Sequence, residues 1–458
     1  MSRFYAKFAQ NFVVPVYDVM RGTSRFKFGH VLQKTQWLSK KQLELLQKKH
    51  LRLLLQHAYD TVPYYRNLFR EKALKPIDIR SLEDLKKFPV LTKEDVRKHS
   101  GDLVSRGYPS NNLIRYRSGG TGNPIKFYIT KEQLSWELAA EFRAYGWANY
   151  RLGDRCFMFW GSPVDKSKYQ GLIGNLTTFL ERISISDTYL MSRVILRKFA
   201  NSLIESRPEI IKGYTTSILM IAKYLLENNI DNVRPKSVLT TAETLFGSSR
   251  KIIEEAFDCP VFDYYGSREI GALAAECEEH SGYHVSAENV LMEFEKEGEH
   301  VADGEKGTIL ITSLRNFGMP FIRYRNGDVG VPSDEKCSCG RGLPLISSVE
   351  GRVADFIAVY DEQTDRVVPV GPVYPLFELA GMHVPLEHYQ VIQESLYNVV
   401  INVVKGEGYS QKDTDFLVKY LQELLGNKVT VQIEFVDYIP PSPSGKRSQV
   451  ISKVDSFF

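Results

Sequence analysis

Between Cys156 and Tyr265 the sequence alternates short β-type runs with helical patterns, and this alternation restricts the fold more than any other feature. Cys156 to Trp160, Val238 to Thr241 and Val261 to Tyr265 are apolar and β-branched or aromatic runs of strand length. Ser217 to Asn228 and Ser248 to Phe257 carry apolar residues at helical spacing between them. Strand and helix in turn predict α/β layers. Gly307 to Thr312 reads as a further strand. Upstream, the leucines from Leu43 to Leu55 mark a helix, which Thr61-Val62-Pro63 should end, because proline lacks a donor and restricts its predecessor.

The last hundred or so residues change pattern. Tyr389 to Gln393, Asn398 to Val404 and Val429 to Phe435 read as strands and Thr414 to Leu425 as a helix. This predicts a small α+β unit, with the junction near Gly351 to Phe356. The expected organisation is a large domain over 1–351 and a small one over 352–458. A chain of 458 residues is too long for one ordinary core.

Charge and hydropathy remove other classes. The chain has 59 basic and 55 acidic residues, a balance unlike that of a dedicated nucleic-acid binder. Its greasiest stretch, Val367 to Leu386, is interrupted by Pro369, Gly371, Pro372 and Pro375, so no membrane span is expected. Met1 to Gly22 does not read as a signal peptide. Phe4, Tyr5, Phe8, Phe12 and Val13 beside Arg3 and Lys7 could suit a membrane surface, and a helix docked on the core is the better reading. Five cysteines without a secretion signal indicate a cytoplasmic protein, in which clustered cysteines suggest metal before disulfide.

Arg117-Ser118-Gly119-Gly120-Thr121-Gly122-Asn123-Pro124 is glycine-rich, with hydroxyls. Such a loop lets backbone N–H groups approach a polyphosphate. It lacks the Gly-Lys-Ser/Thr ending of a Walker loop and the spacing of a dinucleotide fingerprint. A plain turn would explain it alone. Four further motifs follow in order: Asp263-Tyr264-Tyr265-Gly266-Ser267-Arg268-Glu269, Arg323-Tyr324-Arg325-Asn326-Gly327-Asp328, Gly351-Arg352-Val353-Ala354-Asp355, and Ser442-Pro443-Ser444-Gly445-Lys446. Their residue types suit nucleotide chemistry. Tyr can stack on a base, Glu can hold Mg²⁺, Asp can accept both ribose hydroxyls, and Lys can neutralise charge developing on phosphate.

In this order the five motifs resemble the adenylate-forming superfamily of acyl-CoA synthetases, adenylation domains and luciferases, across nearly the whole chain. His57-Ala58-Tyr59, Val62-Pro63-Tyr64-Tyr65-Arg66 and Pro89-Val90-Leu91-Thr92-Lys93 are similar to the phenylacetate–CoA ligase branch, which includes relatives associated with capsular polysaccharide synthesis. The resemblance implies a small mobile C-terminal domain, ATP and Mg²⁺ as requirements, and acyl-adenylate formation followed by transfer, most simply to CoA. Transfer to an amine, alcohol or carrier is the alternative. It further implies that Ser118, Gly119, Gly120, Thr121 and Gly122 wrap the β- and γ-phosphates. Ala242 and Glu243, with Asp263, Tyr264, Tyr265 and Gly266, would form the adenine site. Glu269 would ligate Mg²⁺, Asp328 with Arg352 would clamp the ribose, Lys446 would be the adenylation lysine, and Asp355 the hinge. Trp160 and Tyr214 are substrate-pocket candidates by position, and core packing explains them equally well. Two residues depart from the pattern: Arg268 stands where a hydroxyl residue is usual, and Lys126 sits one place later than the usual lysine.

Cys337-x-Cys339 followed by Gly340 and Gly342 reads as a zinc-binding turn. Cys277 and His284 would complete a closed structural shell, with His280 as the rival histidine and buried free thiols as the plain alternative. The expected partners are a carboxylic acid and an acyl acceptor, with a homodimer left open.

Overall fold

The computed structural model describes residues 15–16, 18, 22–81, 83–117, 125–160, 171–188, 191, 193–352, 357–361, 366–370, 385–426, 428–440 and 450–454. The glycine-rich residues 118–124, Asp355 and Lys446 therefore lie outside the described residues, as does nearly all of Met1 to Gly22.

The leucine-rich segment forms as expected. Helix α1 (Arg25–Thr35) leads into α2 (Lys40–Thr61), where Ser39 and Gln42 make a reciprocal capping box. Leu43, Leu51, Leu54, Leu55 and Ala58 form its buried face. Val62 is extended (φ −105°, ψ 111°), and Pro63 opens α3 (Pro63–Glu71) at its first turn, where no amide donor is needed. The branch-like residues here are structural clamps. The Tyr65 hydroxyl donates to the Pro320 carbonyl (3.0 Å) and accepts from the Ile322 amide (3.1 Å). His57 Nε2 lies 2.7 Å from the Phe317 carbonyl.

Strands β1 (Leu113–Arg117) and β2 (Lys126–Thr130) pair antiparallel, with Arg117 opposite Lys126. Helix α4 (Lys131–Trp147) follows, capped by Thr130. Five parallel strands come next: β3 (Cys156–Trp160), β4 (Ile183–Asp187), β5 (Ile210–Tyr214), β6 (Ser237–Thr241) and β7 (Val261–Ser267). Helices α5 (Thr215–Glu227) and α6 (Gly247–Phe257) connect the last three. Antiparallel strands extend the same sheet: β8 (Gly271–Glu276), β9 (Tyr283–Val285), β10 (Val290–Lys296), β11 (Glu299–His300), β12 (Gly307–Ser313), β13 (Tyr324–Ser333) and β14 (Leu345–Arg352). Together they make one twelve-stranded sheet ordered β11-β10-β12-β13-β14-β9-β8-β7-β6-β5-β3-β4.

The two faces of the parallel half carry different cores. Phe157, Phe159, Ile211, Val238 and Val261 pack on one face with Ile221, Leu225 and Ile253 of α5 and α6. Cys156, Met158, Ile210, Leu239 and Phe262 pack on the other with Tyr145 and Ala148, at the end of α4. This is the alternation expected of strands covered on both sides. The antiparallel half shares a third core with α2 and α3.

A hairpin, β15 (Ile357–Asp361) with β16 (Arg366–Val370), precedes the small sheet β19-β18-β17-β20. Its strands are β17 (Leu386–Ser395), β18 (Asn398–Lys405), β19 (Thr430–Phe435) and β20 (Val450–Ser452), with helix α7 (Gln411–Leu425) against them. Ile357, Val391, Ile401, Leu417 and Leu421 form its core. Helix α7 begins three residues before the expected Thr414, because Ser410 and Asp413 form a capping box there.

Candidate functional site

In sheets of this kind ligands sit beyond the carboxyl ends of the parallel strands, and the nucleotide candidates gather there. Strand β6 ends at Thr241, and Ala242 follows with φ +73°. A residue with a Cβ is strained there by about 1–3 kcal/mol, a feature that clusters at functional sites. Glu243 is tied down beside it. Its carboxylate accepts from the Thr216 amide (2.8 Å) in the first turn of α5, and its carbonyl accepts from the Thr215 hydroxyl (3.0 Å).

On β7, Asp263 is buried. One carboxylate oxygen accepts from the Thr240 hydroxyl (2.7 Å) and the other from the Tyr283 hydroxyl (2.8 Å). Its amide donates to Glu276 (2.8 Å), whose two carboxylate oxygens both accept from the Arg250 guanidinium (2.6 and 2.8 Å). Burial, then the charge of Glu276, pushes the Asp263 carboxyl up to about 7. Glu276 stays below its ordinary value despite burial, because His280 and Arg250 stabilise its charge.

Tyr265, two residues on, shares the Asp263 face of the strand. Its hydroxyl donates to Asp328 (2.7 Å) and accepts from the Asn326 side-chain amide (2.8 Å). Asn326 also donates to Asp328 (2.5 Å), and its carbonyl oxygen accepts from the Asp328 amide (3.0 Å). Gly327, at φ +91°, lets the backbone turn between the two. Asp328 stands directly opposite Arg352 in the β13–β14 register. Residues 61 and 63 positions apart in sequence thus meet side by side. Asn326 was not singled out in the sequence, although the Asn-Gly-Asp run is a recognisable turn signal.

Glu269 lies in the turn between β7 and β8 and is only 8% exposed. No described residue forms a hydrogen bond or ion pair with it. Trp160 and Tyr214, at the ends of β3 and β5, pack with ring centroids 4.8 Å apart. Tyr264 points to the opposite face from Tyr265 and meets Tyr145 of α4 (5.6 Å). Gly266 separates the two faces closely: a Cβ there would stand 3.1 Å from the Tyr264 ring and the Gly271 carbonyl.

The metal candidates come together as one cluster. The ligand atoms of Cys277, His284, Cys337 and Cys339 all lie within 4.8 Å of one another. The Cys277 and Cys337 sulfurs are 3.6 Å apart, and His284 Nε2 is 3.3 Å from Cys339 Sγ. His280 is not part of the cluster, since it faces Glu276, Arg250 and the Phe262 ring. Arg341 braces the turn, bonding both oxygens of Glu278 (2.9 and 3.0 Å) and covering the Trp147 ring at 4.9 Å. Gly342 has no room for a side chain, since a Cβ would fall 1.9 Å from the Leu38 carbonyl oxygen. The turn is thereby pressed against the α1–α2 connection.

Comparison with known proteins agrees with this geometry. The family model described as CapK C-terminal domain matches residues 378–453. A phenylacetate–coenzyme A ligase of Thermus thermophilus is 26% identical over 365 residues, covering 78% of this chain and 79% of that protein. Protein CapK of Staphylococcus aureus is 24% identical over 404 residues, 85% of each. Among solved structures, 2-hydroxyisobutyryl-CoA ligase in the postadenylation state aligns with a TM-score of 0.68 at 20% identity, covering 89% of both chains. The chain is thus similar in sequence to phenylacetate–CoA ligases and to CapK, and its fold matches that of adenylate-forming ligases.

Proposed function

We propose that this protein is an ATP-dependent, AMP-forming ligase. A carboxylate attacks the α-phosphate in line, pyrophosphate leaves, and an acceptor then attacks the activated carbonyl. The observation that carries the reading is the contact of the Tyr265 hydroxyl with Asp328. It sets an aromatic face for a base beside a carboxylate for a ribose, and no core-packing role requires that pairing. Ala242 and Glu243 would present backbone to the adenine edge. Asp263 would meet the adenine amino group, because each of its oxygens keeps a second lone pair after the contacts to Thr240 and Tyr283. Tyr264 and Gly266 complete this site. Arg352 would assist Asp328, Ser118 to Gly122 would hold the β- and γ-phosphates, and Lys446 would neutralise the attacking carboxylate and α-phosphate. Asp355 would be the hinge between domains 1–351 and 352–458.

Glu269 fits a Mg²⁺ ligand, being a buried carboxylate with no described partner; the ion would offset phosphate charge. The four-residue cluster fits a structural Zn²⁺, with three sulfurs and one imidazole as a full tetrahedral set. The acceptor we favour is CoA, since several relatives and structural neighbours are CoA ligases. Transfer to an amine, alcohol or carrier in polysaccharide metabolism is the second reading. It is favoured by the match of the small unit to the CapK model. Free cysteines throughout the described residues suit a cytoplasmic setting.

Pyrophosphate exchange into ATP tests the proposal. Exchange that depends on an added carboxylic acid is expected, and exchange absent across a broad acid panel would refute it. With the best acid, a CoA thioester detected by mass selects the first acceptor, and adenylate without thioester selects the second.

A further inference from the structure

Strand register lays a row of side chains across the face of the sheet covered by α4. The row runs Ile185, Met158, Lys212, Leu239, Phe262, each beside the next on neighbouring strands. Lys212 is its one ionisable member, in a layer otherwise apolar and aromatic. Its side chain is 12% exposed. Nζ donates to Glu141 (2.9 Å) and to the Tyr145 hydroxyl, and it lies 4.1 Å from the Tyr145 ring centroid and 5.7 Å from that of Trp160. An ammonium has three donors. The third has no partner among the described residues.

Glu137, Glu141 and Tyr145 stand four residues apart along α4 and so share one helix face. That face looks onto the carboxyl end of the parallel strands, where Tyr214, Thr241 and Tyr264 form the next row. The Glu141 side chain keeps 25% exposure there. A buried ion pair is weak evidence for stability, because desolvating two charges offsets their attraction. Apolar residues of similar size would fill this layer at less cost. A few well-placed polar groups in an aromatic pocket are instead the usual mark of ligand recognition.

We infer that Lys212, supported by Glu141 and Tyr145, is a specificity-determining residue of the acid pocket, and that the acid carries a second oxygen, a hydroxyl or carbonyl, on its acyl group. The inference rests on the adenylation reading above. On that reading the nucleotide lies against Tyr265 and the acyl group passes Gly266 to the Tyr264 face. There the free donor of Lys212 meets the acyl oxygen between the Trp160 and Tyr145 rings. A purely hydrocarbon acid would leave that ammonium donor buried and unpaired, which strongly disfavours it.

The test compares acid pairs that differ by one oxygen, such as 4-hydroxyphenylacetate with phenylacetate and 3-hydroxybutyrate with butyrate. Full-length protein is used, with both pyrophosphate exchange and calorimetric titration of the free acids. The wild type should favour an oxygenated member by about 10- to 100-fold in kcat/KM, the range for a hydrogen bond to a charged group. Lys212→Met should remove that preference. Tyr145→Phe, which keeps the ring and removes only the hydroxyl, should reduce it by a smaller factor and covers the case in which the lysine variant does not fold. If Lys212→Met weakens both members of a pair equally, Lys212 holds the reacting carboxylate and the inference is wrong. It is equally wrong if wild type shows no preference in any pair. Acid binding that depends on Lys212 without exchange would sink the adenylation reading and keep the polar pocket. Exchange with an unchanged ratio would do the reverse.

Discussion

The two residue clusters on the large sheet are built differently. The Cys277–His284–Cys337–Cys339 cluster is closed: its ligand atoms are already in reach of one another, and Arg341, Glu278 and Trp147 brace it. The candidate nucleotide cluster is only partly assembled. Tyr265, Asn326 and Asp328 are locked together, yet Ala242 is held in a strained backbone and Glu269 is a buried carboxylate without a described partner. One cluster brings a full set of four candidate metal ligands together in protein atoms alone. The other keeps unsatisfied groups that a substrate would satisfy. Loss of the first should therefore unfold structure, and loss of the second should cost rate or affinity.

The largest effect is expected at the metal cluster. Protein purified without added zinc should contain one zinc per chain by metal analysis. Cys337→Ser should lower stability by several kcal/mol, roughly 5 or more, since structural zinc contributes directly to folding. A metal-free protein with four freely titrating side chains at these positions would erase the contrast between the two clusters.

Next comes Lys446→Ala. It should slow adenylate formation about 10²- to 10³-fold while leaving ATP affinity nearly unchanged, as expected for a charge used mainly in the transition state. Adenylate made at the normal rate would remove Lys446 from the site. Asp328→Ala should behave in the opposite way. It should weaken ATP binding by roughly 10- to 100-fold, because hydrogen bonds to ribose act in ground and transition states alike. Calorimetry showing equal affinity would leave Asp328 as a turn residue.

The smallest effect concerns Asp263. Its carboxyl is raised from 3.8 to about 7, by burial first and by Glu276 second. A carboxyl raised on folding stabilises the fold when protonated. That contribution is fully present below pH 3.8 and is lost as pH rises through 7. Relative to Asp263→Asn, the wild type should thus lose stability between pH 4 and pH 8. Glu276→Gln should move this loss to lower pH. A flat difference between wild type and Asp263→Asn would show that Asp263 stays charged.

How much of this could be read from the sequence depended on how local the signal was. Strands β3, β6 and β7 and helices α5 and α6 were legible because apolar periodicity is local, as at Cys156–Trp160 and Gly247–Phe257, whereas the parallel strands β4 and β5 were not read. Strands β8, β9, β13 and β14 were not read. Strand β9 is only three residues long and pairs with the distant β14, and Tyr324–Ser333 carries Gly, Asp and Pro in a run that resembles a loop. The grouping of Cys277, His284, Cys337 and Cys339 was legible because few residue types bind zinc and the Cys-x-Cys turn is compact, although only the structure separates His284 from His280. Asn326 was missed because its role appears only when β7 and β13 bring it to Tyr265. Lys212 was missed for the same reason, since Glu141 lies 71 residues away in sequence.

The most direct measurement of the central claim is the product balance of ATP consumption with the preferred acid and no acceptor. The account predicts that each ATP consumed in a rapid-quench experiment yields one pyrophosphate and one enzyme-bound acyl-AMP, visible by mass. ADP and inorganic phosphate as products, or ATP cleavage independent of the acid, would contradict it.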